Sequence, residues 1–262
     1  MRLSIEVALE YTLREPADIL LQIEAAQMAD QRLEHQSLTI WSDHAVTATA
    51  GEDNIGQRCW VRADHALIAR YEAIVAIDRP AVALRSLPAT PVRMLAGPLV
   101  PYLLPSRYCE SDKLEGFVRR TFGGLSGGAL AAALVDWTAD NLRYEAGSSV
   151  GMTTALDTFG MRTGVCRDYA HLLVALARAA EIPARCVAAY APDVHPSDFH
   201  AVTELWLDGG WHLVDPTGMA RAEEIARVCV GRDATDIAFM TVFGDAQLCR
   251  QSVRVARLDA LA

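Results

Sequence analysis

Cysteine, histidine and a carboxylate can share the work of nucleophilic acyl chemistry, and this chain holds one such set in suitable contexts: Cys166, His200 and Asp215. Cys166 follows Thr163, Gly164 and Val165, and Thr163 is a candidate helix cap, so the thiol falls in the first turn of a predicted helix. Unsatisfied backbone N–H groups and the helix dipole favour an anion there. A cysteine so placed is biased toward the nucleophilic thiolate, and the same N–H groups can receive the oxyanion of a tetrahedral intermediate. The nucleophile also needs a base that returns the proton to the leaving group. His200 opens a predicted strand after Asp198 and Phe199, and Asp215, before Pro216 and Thr217, ends the following one. A carboxylate there can fix the imidazole's tautomer. A hairpin centred on Gly209 sets Asp215 opposite Thr203 or Glu204, three or four residues from His200. A bulge, strand twist or side-chain reach must close that gap.

The other candidate groups fit the chemistry less well. His171 lies five residues after Cys166, about 500° around a helix, and so points away from it. His195 sits in a Pro-containing loop where it could reach a substrate, and His212 alternates away from Asp215 on its strand. Arg167 and Asp168 serve the helix start and local ion pairing. Asp193, His195, Asp198 and His200 together resemble a metal loop, but a metal on His200 would remove the base that the thiol needs. No metal and no cofactor is therefore expected. A second oxyanion donor should lie upstream of Cys166, and Trp137, Tyr144, Ser149 and Thr153 are equal candidates.

A helix and a hairpin must carry these groups, and both are legible. Cys166, Ala170, Leu173 and Ala177 form one helical stripe in a segment that ends before Pro183. Strands are expected at about 185–190, 200–207 and 211–215, with Asp208, Gly209 and Gly210 making the turn, and further strands at about 226–230, 238–243 and 250–257. Helices are expected upstream at about 111–122, 127–143 and 153–159. The first hundred residues read as β: Leu3, Ile5, Val7 and Leu9 alternate with polar or small residues, as do Ile19, Leu21 and Ile23. Five prolines between Pro88 and Pro105 read as a linker between two domains, residues 1–100 and 101–262.

A hydrophobic fraction of 52% is enough for a real core, and a net charge of −9 argues against a nucleic-acid partner. No stretch of about 18 apolar residues predicts a membrane helix. Glu6 and Glu10 interrupt any signal-like start. The six cysteines contain no C-x-x-C pair, so a reducing, cytoplasmic setting is expected, with most thiols acting as small core residues.

The motif run Thr163 to His171, then Ile182 to Arg185, Asp198 to Glu204, Trp211 and Asp215 to Thr217 resembles the bacterial transglutaminase-like superfamily. The likeness is close over about residues 125–220. The tail Gly231 to Phe239 is similar to that group's C-terminal extension, and the β-rich start to the small domain that often precedes the core. The resemblance implies an α+β, papain-like core with a Cys166-His200-Asp215 triad, preceded by a small antiparallel β domain. It also implies acyl transfer from, or hydrolysis of, a peptide or protein amide through a Cys166 thioester. A protease or peptidase with the same triad is the first alternative, and a non-catalytic peptide-binding module the second. Nothing in the sequence specifies the oligomeric state. With limiting iodoacetamide at about pH 6, Cys166 should be alkylated faster than the other five cysteines. Adduct mapping that finds it equal or slower would remove it as the nucleophile.

Overall fold

The protein is described by a computed structural model over residues 1–42 and 44–258. The alternating N-terminal segment forms β1 (Arg2–Leu13), with Leu3, Ile5, Val7 and Leu9 all buried. Next come β2 (Ala17–Leu21), β3 (Gln31–Trp41), β4 (Thr47–Ala50), β5 (Gln57–Ala63) and β6 (Ala66–Ile77). Beyond the middle segment lie α1 (Glu115–Phe122), α2 (Gly127–Asn141), the short β7 (Arg143–Tyr144), α3 (Ala155–Met161), β8 (Thr163–Gly164) and α4 (Cys166–Ala179). The chain continues through β9 (Ala184–Tyr190), β10 (His200–Leu207), β11 (Gly210–Val214), β12 (Ala226–Gly231), the single turn α5 (Ala234–Ile237), β13 (Met240–Phe243) and β14 (Ala246–Leu258). The fold is α+β, with antiparallel pairing throughout its three four-stranded sheets.

Two of those sheets make the β unit, in the orders β14-β1-β6-β3 and β13-β2-β5-β4. Leu3, Ile5 and Tyr71 of the first sheet and Ile19, Leu21 and Val61 of the second enter one hydrophobic cluster, as expected when two half-buried sheets cover each other's apolar faces. The expected division at residue 100 does not follow the strand pairing. β13 and β14, read from sequence as an extension of the core, complete the two sheets of the β unit instead. Val7 pairs with Val253, and Val242 pairs with Ile19. An edge left by β1 or β2 would expose unpaired backbone donors and acceptors, and the returning C-terminal strands cover both.

The third sheet, β11-β10-β9-β12, is the core sheet, and α4 packs against it. Every residue of α4 from Asp168 to Arg178 is buried. The proline-rich stretch is also not a free linker. It forms short 3-10 turns at Leu84–Ser86, Val92–Met94 and Gly97–Tyr102 and docks on α2, where Gly128 donates its N–H to the Leu87 carbonyl at 2.7 Å. A Cβ at Gly128 would stand 1.9 Å from the Leu84 oxygen, so only glycine lets the two backbones approach this closely.

A buried ionic network crosses from the β unit to the core sheet. Glu204 of β10 is fully buried and accepts from Arg185 of β9 at 2.8 Å and Arg227 of β12 at 2.6 Å. Arg227 also pairs with Asp30, which accepts from Arg79, and Arg185 reaches Asp53 at 2.8 Å. Replacing only the central carboxylate removes the partner that two buried guanidinium groups share. Glu204→Ala should therefore destabilise by about 3–5 kcal/mol, lowering the thermal midpoint by roughly 10 °C. A midpoint within about 2 °C of the parent would show that the network contributes no net stability.

Candidate active site

The local sequence explains where the thiol stands. α3 ends at Arg162, which takes the left-handed conformation at φ 60°, and Thr163 and Gly164 then pair in parallel with Arg143 and Tyr144. The helix cap is therefore Val165 and not Thr163, whose backbone is committed to this bridge. Valine has no oxygen with which to cap. Instead Asp168, three residues into the helix, accepts the Val165 N–H at 2.8 Å, and its other oxygen accepts from the Ser149 hydroxyl at 2.9 Å. Cys166 is the first helical residue and is half-buried at the helix N-terminus, as the sequence predicts.

His200 and Asp215 are both buried, and the His200 Nε2 stands 2.9 Å from Asp215 Oδ2. The hairpin turn is the two-residue loop Asp208 and Gly209, both at positive φ, and it pairs Leu207 with Gly210 and Thr203 with Val214. Continued by one step, that register sets Asp215 beside Val202, so His200 is its diagonal neighbour on the same face and within side-chain reach. The gap expected from the sequence closes because the turn is centred half a residue earlier than Gly209. Asp215 is further held by the Thr217 N–H at 2.9 Å, the Thr217 hydroxyl at 2.7 Å and the Ala220 N–H at 3.0 Å. These donors and the imidazole keep its carboxyl below the usual range despite a burial that pushes the other way.

Burial alone would lower the His200 pKa, but the hydrogen bond to Asp215, the neighbouring Cys166 sulfur and the charges of both hold it up at about 9. The ring therefore favours the imidazolium form opposite the sulfur. Its Nδ1 is buried without a hydrogen-bonding partner, while Cys166 and His200 line the same cavity. The tautomer is fixed at the Asp215 end, and the other nitrogen is left for proton transfer.

The four candidate oxyanion donors separate by position. Trp137 stacks with Phe159 under the Arg162 guanidinium, the Ser149 hydroxyl is committed to Asp168, and the Thr153 hydroxyl accepts from the Val150 N–H at 3.0 Å. Tyr144 is the one at the thiol. Its phenol is pushed up to about 12 by burial and then by the charge of Cys166. The β7–β8 bridge delivers it there, two residues from the helix start.

His195 is exposed on its loop and lies outside the cavity, and His212 bonds the Leu207 carbonyl at 3.0 Å in a structural role. The possible metal loop does not converge: Asp193 pairs with Arg257, and Asp198 accepts from Phe199 and Gln251. Among the described residues, Cys109, His171 and Cys186 bring ligand atoms within 4.8 Å of one another, a cluster that sequence spacing does not reveal. His171 is buried, and burial pulls its pKa down to about 3, so the ring is neutral. Its Nε2 accepts the Ala234 N–H at 3.0 Å, which puts the proton on Nδ1. A metal on Nδ1 would force a second N–H against that of Ala234, so the trio does not suit a metal and reads as core.

The family model of the transglutaminase-like superfamily matches residues 118–216. A crystal structure from Cytophaga hutchinsonii, described as a candidate cysteine protease, is 31% identical and superposes with a TM-score of 0.93, covering 99% of this chain and 91% of that one. The likeness thus includes the β unit. An uncharacterised protein of Mycobacterium leprae, ML0607, is 26% identical over 221 residues, 80% of this chain and 68% of that protein. A protein-glutamine gamma-glutamyltransferase of Pseudomonas aeruginosa is 40% identical over 78 residues, which are only 12% of its length. The chain belongs to the transglutaminase-like superfamily.

Replacing Asp215 by asparagine removes the charge that offsets burial at His200. The alkaline limb of the pH profile for acylation by an amide, which needs the ring proton for the departing amine, should then fall from near 9 toward or below the ordinary histidine value, because the ring loses its proton earlier. Turnover should drop by about 10²–10⁴-fold. An unchanged alkaline limb would mean that Asp215 does not set the state of the ring.

Proposed function

We propose that the chain is a cysteine-dependent amide acyltransferase or hydrolase working through a thioester on Cys166. One observation carries the reading: a helix-N-terminal thiol shares a cavity with an imidazole that a buried carboxylate holds at 2.9 Å and keeps protonated up to about pH 9. The Cys166 thiolate attacks the amide carbonyl. The Cys166 N–H and the Tyr144 hydroxyl donate to the developing oxyanion. The imidazolium protonates the departing amine, which leaves the acyl group on sulfur and the ring neutral. The neutral ring then takes a proton from water, giving hydrolysis, or from an amine, giving transfer, and the thiolate is regenerated. Neither half-reaction calls on a metal or a cofactor. A peptide or protein amide is the proposed substrate.

The described relatives lend support to both outcomes, one described as a candidate protease and the other named as a glutamyltransferase. Hydrolysis is the favoured outcome in the reducing, cytoplasmic setting expected from the sequence, where an open cross-linker would attack its neighbours. A non-catalytic binding module would not need the complete Cys166-His200-Asp215 arrangement. Incubation of peptide amides, including a glutamine peptide, with and without a primary amine should give a covalent acyl adduct on Cys166 by mass spectrometry. Turnover should be unaffected by chelators and abolished by Cys166→Ala. Activity lost to a chelator and restored by zinc, or no acyl adduct with any amide, would overturn the proposal.

A further inference from the structure

The cavity that holds Cys166 and His200 has a volume of about 380 Å³, near the lower end for small-ligand sites and of a size for one side chain with its flanking backbone. One wall belongs to the superfamily core, with Val165 before the thiol and Ala188, Ala189 and Ala201 on β9 and β10. The facing wall does not. Gln22, Val228, Ile237, Ala238, Phe239 and Met240 all lie outside the matched residues 118–216, and all but Val228 of β12 come from the β unit and its connection to the core. This second wall is fixed in place. Phe239 stacks on Phe199 at 4.2 Å with rings nearly parallel, and Phe199 immediately precedes His200. The Phe239 carbonyl accepts the Gln22 N–H at 2.8 Å, and Met240 pairs with Leu21.

Most polar groups at the cavity have partners within the chain, although Gln22 Nε2 and Arg167 Nε are buried without one. The Gln22 side-chain oxygen accepts from Arg58 at 2.6 Å. Arg167 donates to the Val150 carbonyl and pairs with Asp168, while Asp198 accepts from Phe199 at 2.7 Å and from Gln251 at 2.6 Å. A carboxylate entering the cavity would lose water, lie with the Asp198 carboxylate in the same lining and find Arg167 already paired with Asp168, whereas an apolar side chain gains by burial.

We infer that this cavity is the acyl-side specificity pocket, and that it selects amides whose attacked carbonyl belongs to a residue with a leucine-, methionine- or phenylalanine-sized apolar side chain. The selecting wall is supplied by the β unit and the returning C-terminal segment. This rests on the reading of Cys166 as the nucleophile. Cys166 itself lines the cavity, so a side chain borne on the carbon next to the attacked carbonyl reaches it without a spacer.

The test uses peptidyl acyloxymethyl ketones with leucine, phenylalanine, alanine or aspartate next to the reactive ketone. Second-order inactivation rates would be measured on the full chain, with adducts mapped by mass spectrometry. Leucine and phenylalanine should exceed alanine by at least about 10-fold and aspartate by about 100-fold or more. Ala238→Trp should cut the leucine rate about 10-fold or more and the alanine rate much less, as expected if it fills the pocket. Met240→Lys offers a second variant should the first not fold, and it should raise the aspartate rate relative to leucine. Equal rates for leucine and aspartate, with the adduct on Cys166, would overturn the pocket assignment alone. No adduct on Cys166 with any ketone would overturn the nucleophile and the pocket together.

Discussion

The carboxylate of Asp168, fully buried at the start of α4, accepts from the Val165 N–H, from Ser149 and from Arg167. It takes the place of the side-chain cap that Val165 cannot supply, and it ties the segment before the helix to the helix itself. A Cβ on Gly164 would stand 2.6 Å from the Asp168 Cβ, so glycine there is a condition of this close approach. From Asp168 to Arg178, α4 is buried between the core sheet and α1, α2 and α3, which leaves its N-terminus at the cleft with Cys166 as its first residue. A helix packed this completely cannot rotate or slide without opening voids, so the position of the sulfur is set by the packing of the whole core.

The hairpin of β10 and β11 brings the other two groups to the sulfur by a different device. His200 enters at the first residue of β10, and Asp215 follows the last residue of β11. Their contact depends on the register made by the tight turn at Asp208 and Gly209, and on Thr217 and Ala220 satisfying the remaining lone pairs of Asp215. Four residues along β10 from His200, Glu204 anchors the same strand to β9 and β12 through two buried arginines. The strand that presents the imidazole is thus secured by polar contacts to its neighbours and, through Asp30 and Asp53, to the β unit.

That connection gives the β unit a role beyond adding surface to the core. Its sheets are completed by β13 and β14, and the segment leading to them passes the cavity at Ile237, Ala238 and Phe239. The chain leaves the core sheet at Gly231, caps α5 with the Asp233 side chain, lines the cavity and then enters the β unit. Strand pairing in the β unit and the shape of the cavity wall are consequences of one stretch of backbone.

Much of this was legible in the sequence for reasons that are local. The alternation of Leu3, Ile5, Val7 and Leu9, the stripe of Cys166, Ala170, Leu173 and Ala177, and the Asp208-Gly209 turn each follow from the period of their own element. The order Cys166, His200, Asp215 therefore came with a helix start and a hairpin already attached. What only the tertiary structure decided depends on partners far away in the chain. The return of residues 240–258 to β1 and β2 is a choice of strand edge, to which an alternating pattern is blind. Val165 and not Thr163 begins the helix because Thr163 is paired with Arg143, and Tyr144 is singled out from four equivalent candidates by the same bridge. The Cys109, His171 and Cys186 cluster joins three separate elements, and its neutral, acceptor-bonded ring follows from burial and from the Ala234 N–H, which no spacing encodes. A periodic pattern specifies which face of an element is apolar, but only packing specifies what that face meets.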